Sequence, residues 1–373
     1  MKQDIVGLIY TGERVDELQQ LTRHRAAAAL PMVSRYRLID FILSSMIHSG
    51  IKNIGVIMQK NYHSLMDHLG SGREWNLHGK RSGLTILPPM MSMENVGVYN
   101  GLLDALHSNI AFMRRSEERY IAVSDSNVLY QVDFREVLHQ HLQAKADITL
   151  LYSRDRNARR NGRGRYLQVE DGLATRMEMD PIIPHFENTY IGAFVARREM
   201  LIDMVDRAVA SGQHHFSREM VAQMIADGVY RVGACETSGR VWVVDSVQSY
   251  FQSNMDFLND EFRAQAFRED RPVWTKLRDE MPARYAGESR VSNALVADGC
   301  YIEGTVENSI LFRGVVVRPG AVIRNSIIMQ DAVISRNAEV ESCILDKQTT
   351  LRENVRLIAP KAYPIVVAKN LTI

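Results

Sequence analysis

Six arginines fall within the run Arg154–Arg165 (RDRNARRNGRGR), the densest charge in the chain. Clustered guanidinium groups can clamp a phosphorylated ligand or a partner's carboxylates. Charge runs more commonly face water, so a mobile, solvated loop is the expectation for this one. RNA is set aside, because the formal net charge is only +1 and no aromatic residue lies inside the run. A second group, Arg23, Arg25, Arg35 and Arg37, lies near the start of the chain, and its ordinary reading is salt bridging at a helix start. His214-His215 offers two imidazoles, but adjacent residues on one element do not converge on one metal, so the pair reads as surface or pocket lining. Met90-Met91 and Met93 read as filler for an irregular packing surface. The three cysteines, Cys235, Cys300 and Cys343, lack metal-ligand or redox spacing and suit a reducing compartment.

The elements that must carry these residues fall into two regions. With 373 residues, 46% of them hydrophobic and 24% charged, the chain is long enough for two globular domains. Residues 1–258 alternate strand-like and helix-like runs: strands at 5–9, 53–58, 120–123 and 147–152, and helices at 35–49, 102–114 and 134–144. Short connections and apolar strands predict an α/β fold with a mostly parallel sheet sandwiched by helices. Residues 259–289 carry charges with Pro272 and Pro282 and read as a linker. The apolar run Ile5–Tyr10 is too short for a signal peptide or a membrane span, and a soluble, cytoplasmic protein without membrane or nucleic-acid partners is expected.

Residues 290–373 change texture. Three blocks of seventeen residues, beginning at Asn308, Asn325 and Ser342, align without gaps. Their apolar columns are Ile310/Ile327/Ile344, Leu311/Ile328/Leu345, Val317/Ile334/Leu351 and Ile323/Val340/Leu357. Inward positions recur about every six residues, which makes each block one coil of a parallel β-helix, with residues 291–307 as a less regular first coil. A hexapeptide-repeat acyltransferase commonly uses a histidine on such a helix. None of the 11 histidines here lies beyond His215, so that chemistry is set aside.

The motifs Tyr36-Arg37-Leu38-Ile39-Asp40-Phe41, Ser49-Gly50-Ile51, Leu87-Pro88-Pro89, Gly101 before a helix, Asn254-Met255-Asp256 and Ile302-Glu303-Gly304 occur in this order along the chain. With an α/β domain followed by a small left-handed hexapeptide β-helix, the whole resembles the ADP-glucose pyrophosphorylases, or glucose-1-phosphate adenylyltransferases. That resemblance implies joining glucose 1-phosphate to the α-phosphate of ATP. Such chemistry needs Mg²⁺ on carboxylates, cationic clamps and a glycine-rich loop around the triphosphate.

Set against the pattern of active members, the implied parts are degenerate. The glycine-rich loop becomes Thr11-Gly12-Glu13-Arg14-Val15-Asp16-Glu17-Leu18, with a single glycine and added acids, and reads as an ordinary loop entering a helix. The two metal-aspartate positions hold Asn127 and Val243, with Asp125 and Asp245 as displaced substitutes. A lysine for the sugar phosphate becomes Asp180, Leu30-Pro31 stands where lysine–proline is usual, and Asn100-Gly101 stands where glutamate–glycine faces the sugar. These departures resemble the GlgD-type subunits that accompany a catalytic GlgC-type subunit. The resemblance implies a regulatory, non-catalytic subunit without a cofactor of its own, with Mg²⁺ in its catalytic partner. It further implies a hetero-oligomer, or a homo-oligomer when alone, and a phosphorylated sugar effector near Arg35 and Arg37. The alternative is a weak adenylyltransferase using ATP, Mg²⁺, Asp125 and Asp245.

Overall fold

The computed structural model describes residues 4–12, 15–79, 82–89, 99–160 and 163–373. Glu13, Arg14, Met90, Met91 and Met93 lie outside the described residues. The chain forms two compact units, each discontinuous in sequence: residues 1–13, 39–243 and 269–274 form the first, and 14–38, 244–268 and 275–373 the second. Segments 14–38 and 244–258, which sequence reading places with the α/β domain, and 259–268, read there as linker, thus group with the second unit.

The first unit is built on a nine-stranded sheet, in the order Leu84–Leu87, Ile54–Ile57, Ile5–Tyr10, Tyr120–Asp125, Asn188–Arg197, Ile148–Ser153, Val232–Glu236, Leu173–Met179, Arg165–Glu170. The first four strands are parallel, as the alternation of strands and helices predicts. Asn188–Arg197 then runs antiparallel to both of its neighbours, so the sheet is mixed beyond that point. Every residue of Ile5–Tyr10 is buried. Val6, Leu8 and Tyr10 pack on one face with Leu103, Leu106 and Val205, while Ile5 and Ile9, alternate residues of the same strand, are buried on the other. The chain leaves Ile5–Tyr10 towards Ile54–Ile57 on one side and returns as Tyr120–Asp125 on the other. Such a reversal opens a crevice beyond the carboxyl ends of the strands, the usual ligand position in α/β sheets.

Two helices differ from expectation for local reasons. The first α-helix starts at Leu38, because Tyr36–Arg37 pairs with Pro31–Met32 as a short antiparallel ladder. The helix expected over 102–114 breaks at Asn109, whose side-chain amide donates to the Ala105 carbonyl at 2.8 Å.

In the second unit, parallel ladders join Ile310 to Ile327 to Ile344, Val317 to Ile334 to Leu351, and Ile323 to Val340 to Leu357. The columns read from the sequence are therefore the rungs of a parallel β-helix: Leu311/Ile328/Leu345, Val317/Ile334/Leu351 and Ile323/Val340 fill its core, while Ile310, Ile327 and Ile344, next to them on the same strands, are buried on the opposite face. The first rung is shorter, Leu295 pairing with Ile310, and the last is longer, Ile344 pairing with Val366. Corners recur with the same period: Asn308, Asn325 and Ser342 have φ of 44°, 45° and 55°, and Asp331 and Gln348 continue the column begun by Gly314. A tight coil needs such left-handed corners, which Asn, Asp and Gly adopt at least cost. Inside, Ser309 Oγ accepts from the Ser326 amide and Ser326 Oγ from the Cys343 amide, each at 3.1 Å.

Candidate functional site

In the first unit the crevice is floored by strand ends. Thr11, directly after Ile5–Tyr10, is buried and donates its hydroxyl to the Ile57 carbonyl at 2.9 Å. At Gly12 a β-carbon would lie 2.5 Å from the Tyr10 hydroxyl and 2.6 Å from Gln59 Nε2, so these two side chains crowd the start of the loop. Gln59 also donates to the Tyr99 carbonyl at 3.2 Å. The loop entry is packed with side chains where a phosphate-binding loop keeps bare main chain. Downstream, among the described residues, the chain makes two 3-10 turns, Gln19–Thr22 and Ala27–Ala29, before the first α-helix.

Asn127 and Val243, about 116 residues apart in sequence, are brought together by a two-stranded ladder in which Val243 pairs with Val128 and Trp242 with Leu129. Asn127 is buried, and the Val243 carbonyl accepts a hydrogen bond from Arg160.

Asp125 ends its strand opposite Tyr10 and is only 8% exposed. Its Oδ2 lies 3.1 Å from Arg165 Nη2, and Arg165 Nη1 donates to Ser217 Oγ at 3.1 Å. The guanidinium also stands 4.7 Å from the centre of the Tyr190 ring. Gly192 holds φ of +78° at the bulge beside it, and a β-carbon there would sit 2.0 Å from Asp125 Oδ2, so only glycine leaves room for this carboxylate. Burial pushes the Asp125 carboxyl up, opposed by Arg165. For Arg165, burial works against the charge, and Asp125, Tyr190 and Asp180 together outweigh it, so the guanidinium stays protonated. The neighbouring phenols of Tyr130 and Tyr190 are pushed up by burial.

Asp180 follows the strand Leu173–Met179, has φ of 52°, and pairs with Arg218 at 2.6 Å. Asn100 donates its amide to Asp104 Oδ2 at 3.1 Å. Gly101 lies so close to the chain at His214 that a β-carbon would fall 2.2 Å from the His214 carbonyl oxygen. His214 itself is paired with Asp104 at 2.6 Å, which raises its imidazole pKa. The arginine run departs only in part from the solvated loop expected of it: Arg154, Arg156 and Arg163 are exposed, while Arg159, Arg160 and Arg165 are half-buried. Arg159 pairs with Glu187 at 3.3 Å, Arg160 reaches the Val243 carbonyl and Arg165 reaches Asp125, because the run feeds directly into the strand Arg165–Glu170.

In the second unit, Asp245 precedes the helix Val247–Asp256 and accepts from Ser249 Oγ at 3.0 Å, part of the capping arrangement of that helix. Arg35 and Arg37 lie ahead of the first α-helix and belong to a cationic cluster within the unit. Arg313 is 9% exposed, and its Nε and Nη2 have no hydrogen-bond partner among the described residues. Burial, Arg35 and Arg278 all lower its pKa. Burial, Arg37 and Arg25 push the Lys347 ammonium down to about 7. Beside it, Arg25 Nη2 meets both oxygens of Asp346 at 2.8 Å, with the pair buried. Six cations, Arg25, Arg35, Arg37, Arg278, Arg313 and Lys347, gather here with four acids, Asp298, Glu280, Asp331 and Asp346, which leaves an excess of positive charge. Sequence reading found Arg35 and Arg37 but not Arg278, Arg313 or Lys347, which lie far away in the chain.

Residues 6–260 match the nucleotidyl transferase family model, and residues 281–358 match a GlmU-like, C-terminal hexapeptide model. A glycogen biosynthesis protein GlgD of Bacillus subtilis (strain 168) is 33% identical over 367 residues, covering 98% of this chain and 96% of that protein. A glucose-1-phosphate adenylyltransferase of Thermomicrobium roseum is 32% identical over 375 residues, covering 95% of this chain and 83% of that protein. The chain belongs to the ADP-glucose pyrophosphorylase family of nucleotidyl transferases. A second GlgD protein, from Geobacillus stearothermophilus, is 33% identical over 325 residues, covering 87% of this chain and 84% of that protein.

Within this ADP-glucose pyrophosphorylase fold, the residues present do not fit a divalent cation. The ladder brings an amide and a valine to the two implied metal positions, and the nearby carboxylate, Asp125, is already held by a guanidinium. Among the described residues, no group of three or more His, Cys, Asp or Glu side chains is placed to hold a metal ion. No helix among them is long and apolar enough to cross a membrane. The cysteines are buried thiols, each pushed up to about 11 by burial, and offer no nucleophile.

Proposed function

We propose that this chain is a regulatory, non-catalytic subunit of glucose-1-phosphate adenylyltransferase that modulates a catalytic partner subunit in glycogen synthesis. One observation supports the reading: Val243 pairs with Val128, the residue after Asn127, so the two positions that the resemblance implies for metal carboxylates are neighbours and hold a valine and an amide. Without two carboxylates to seat Mg²⁺ and balance its charge, phosphoryl transfer loses its main electrostatic support, about 10² to 10³ in rate for each preorganised group removed. Asp180 removes a further cation from the sugar-phosphate position and is itself tied to Arg218. The similarity to glycogen biosynthesis proteins GlgD supports a place in glycogen synthesis. In this reading Mg²⁺ belongs to the catalytic partner, and the chain needs no cofactor.

A phosphorylated sugar is the proposed effector, bound at Arg35 and Arg37 together with Arg278, Arg313 and Lys347. The guanidinium nitrogens of Arg313 that lack a hydrogen-bond partner among the described residues, and the crowding of cations around Lys347, support this reading. The β-helix is the proposed surface for the catalytic subunit. Its last coil leaves Ile358 and Ile365 exposed on its edge strands, and Tyr363 and Leu371 exposed in the connections beside them.

The test is ADP-glucose formation by this chain alone, by a catalytic subunit alone, and by the two mixed. No turnover alone, with a changed rate or effector response on mixing, is the expected result. Robust Mg²⁺-dependent turnover by this chain alone overturns the proposal.

A further inference from the structure

The Asp125–Arg165 pair has a meaning beyond the loss of catalysis. Asp125 sits at the carboxyl end of a central strand, in the crevice, and is almost fully buried. A carboxylate in that position is costly unless a cation neutralises it. Of the charged groups acting on Asp125, Arg165 is the cation, and it is fixed from three sides by Asp125, Ser217 Oγ and the Tyr190 ring. The bulge at Gly192 presses the main chain against the same carboxylate, which leaves its position set by the backbone. Asp180 also attracts Arg165 and pairs in turn with Arg218, so the acids and bases alternate as Asp125, Arg165, Asp180, Arg218 and sum to zero. A divalent ion entering this chain of charges would meet a guanidinium already in place and leave two positive charges unbalanced.

We propose that the Arg165 guanidinium is a tethered cation standing in for a divalent metal at Asp125, so that the crevice stays folded without metal and refuses one. Arg165 is a positioning residue here, acting through Asp125. The inference goes beyond the non-catalytic reading, and the two are tested by different measurements.

Mn²⁺ is titrated into the full chain and followed by electron paramagnetic resonance, with thermal unfolding read in parallel in chelator and in Mn²⁺. The native chain is expected to show no Mn²⁺ site that Asp125→Asn removes, and no rise in Tm with Mn²⁺. Arg165→Met is expected to lower Tm in chelator by roughly 5 °C or more, to gain a Mn²⁺ site, and to recover part of the lost Tm when Mn²⁺ is added. Asp125→Asn in the Arg165→Met background should abolish both the site and the recovery. If Arg165→Met fails to fold, the double variant decides: a Tm in chelator close to the native value supports the proposal, and failure of the double variant as well overturns it. A native Mn²⁺ site that depends on Asp125 also overturns it, as does an Arg165→Met chain that folds but gains no site. Turnover by the native chain alone would sink the non-catalytic reading and leave the Mn²⁺ measurement to judge this one.

Discussion

The buried pair of Arg25 and Asp346 sets up an asymmetric test. The two side chains are 4% and 2% exposed, and Asp346 also accepts the Lys347 amide at 2.6 Å. Removing one partner of a buried pair typically costs about 3–5 kcal/mol, because the other charge is stranded. Here the two removals are not equivalent. Asp346→Asn leaves Arg25 buried next to Lys347 and Arg37, with the local acid gone, and should cost about 4–5 kcal/mol, the upper end of that range. Arg25→Met strands Asp346, but the Lys347 ammonium stands close enough to take over as counter-charge, so about 1–3 kcal/mol is expected. Replacing both, Arg25→Met with Asp346→Leu, removes the charges together and should fall near the native stability. Urea unfolding of the four proteins near neutral pH gives the values, each compared directly with the native chain. Equal losses from the two single changes, or a loss under about 1 kcal/mol for Asp346→Asn, would refute the electrostatic picture of this cluster.

Lys347 titrates near 7 in the folded chain against a normal 10.5, so between those values the unfolded chain binds more protons and stability rises with pH. Lys347→Met should flatten that rise, which urea midpoints measured across the window will show. In the crevice, Gly101→Ala drives a β-carbon into the His214 carbonyl, a main-chain atom that cannot swing away, and should cost about 1–3 kcal/mol or prevent folding. Gly12→Ala meets only the tips of Tyr10 and Gln59, so thermal unfolding should show a loss of less than about 1 kcal/mol. The three buried thiols, pushed up to about 11, should react with an alkylating reagent only as fast as the protein opens, and mass spectrometry of the native and urea-unfolded chain reads this directly.

What the sequence shows of this fold follows the range of the interactions involved. The β-helix is legible because the same inward positions recur every seventeen residues, and the ladders from Ile310 to Ile327 to Ile344 follow that period without a shift. Its corners are also written there, as Asn308 and Asn325 or Asp331 and Gln348, but polar residues at single turns do not stand out until φ is known. The parallel half of the sheet is legible from local alternation, whereas the antiparallel insertion of Asn188–Arg197 depends on pairings with strands far along the chain. At the crevice, Asn127, Val243, Asp180 and Asp125 could be picked out by resemblance. Arg165 could not, since its partner is 40 residues away and the arginine run around it looks like solvated charge. The same holds for segment 14–38, whose Arg25 finds Asp346 across 321 residues of sequence.

A repeat this regular carries an ambiguity of its own. A one-residue slip between coils would turn inward side chains outward and is strongly disfavoured. A slip by a whole coil is different, because Ile310 would meet Ile344 in place of Ile327 and every column would still match. Neighbouring strands stand about 4.8 Å apart, so such a slip carries Asp346 that far from Arg25, well beyond the 2.8 Å of their contact. The pair therefore works as a ruler: it is satisfied for one number of coils and broken for any other, and it proofreads the frame of a repeat that cannot count itself.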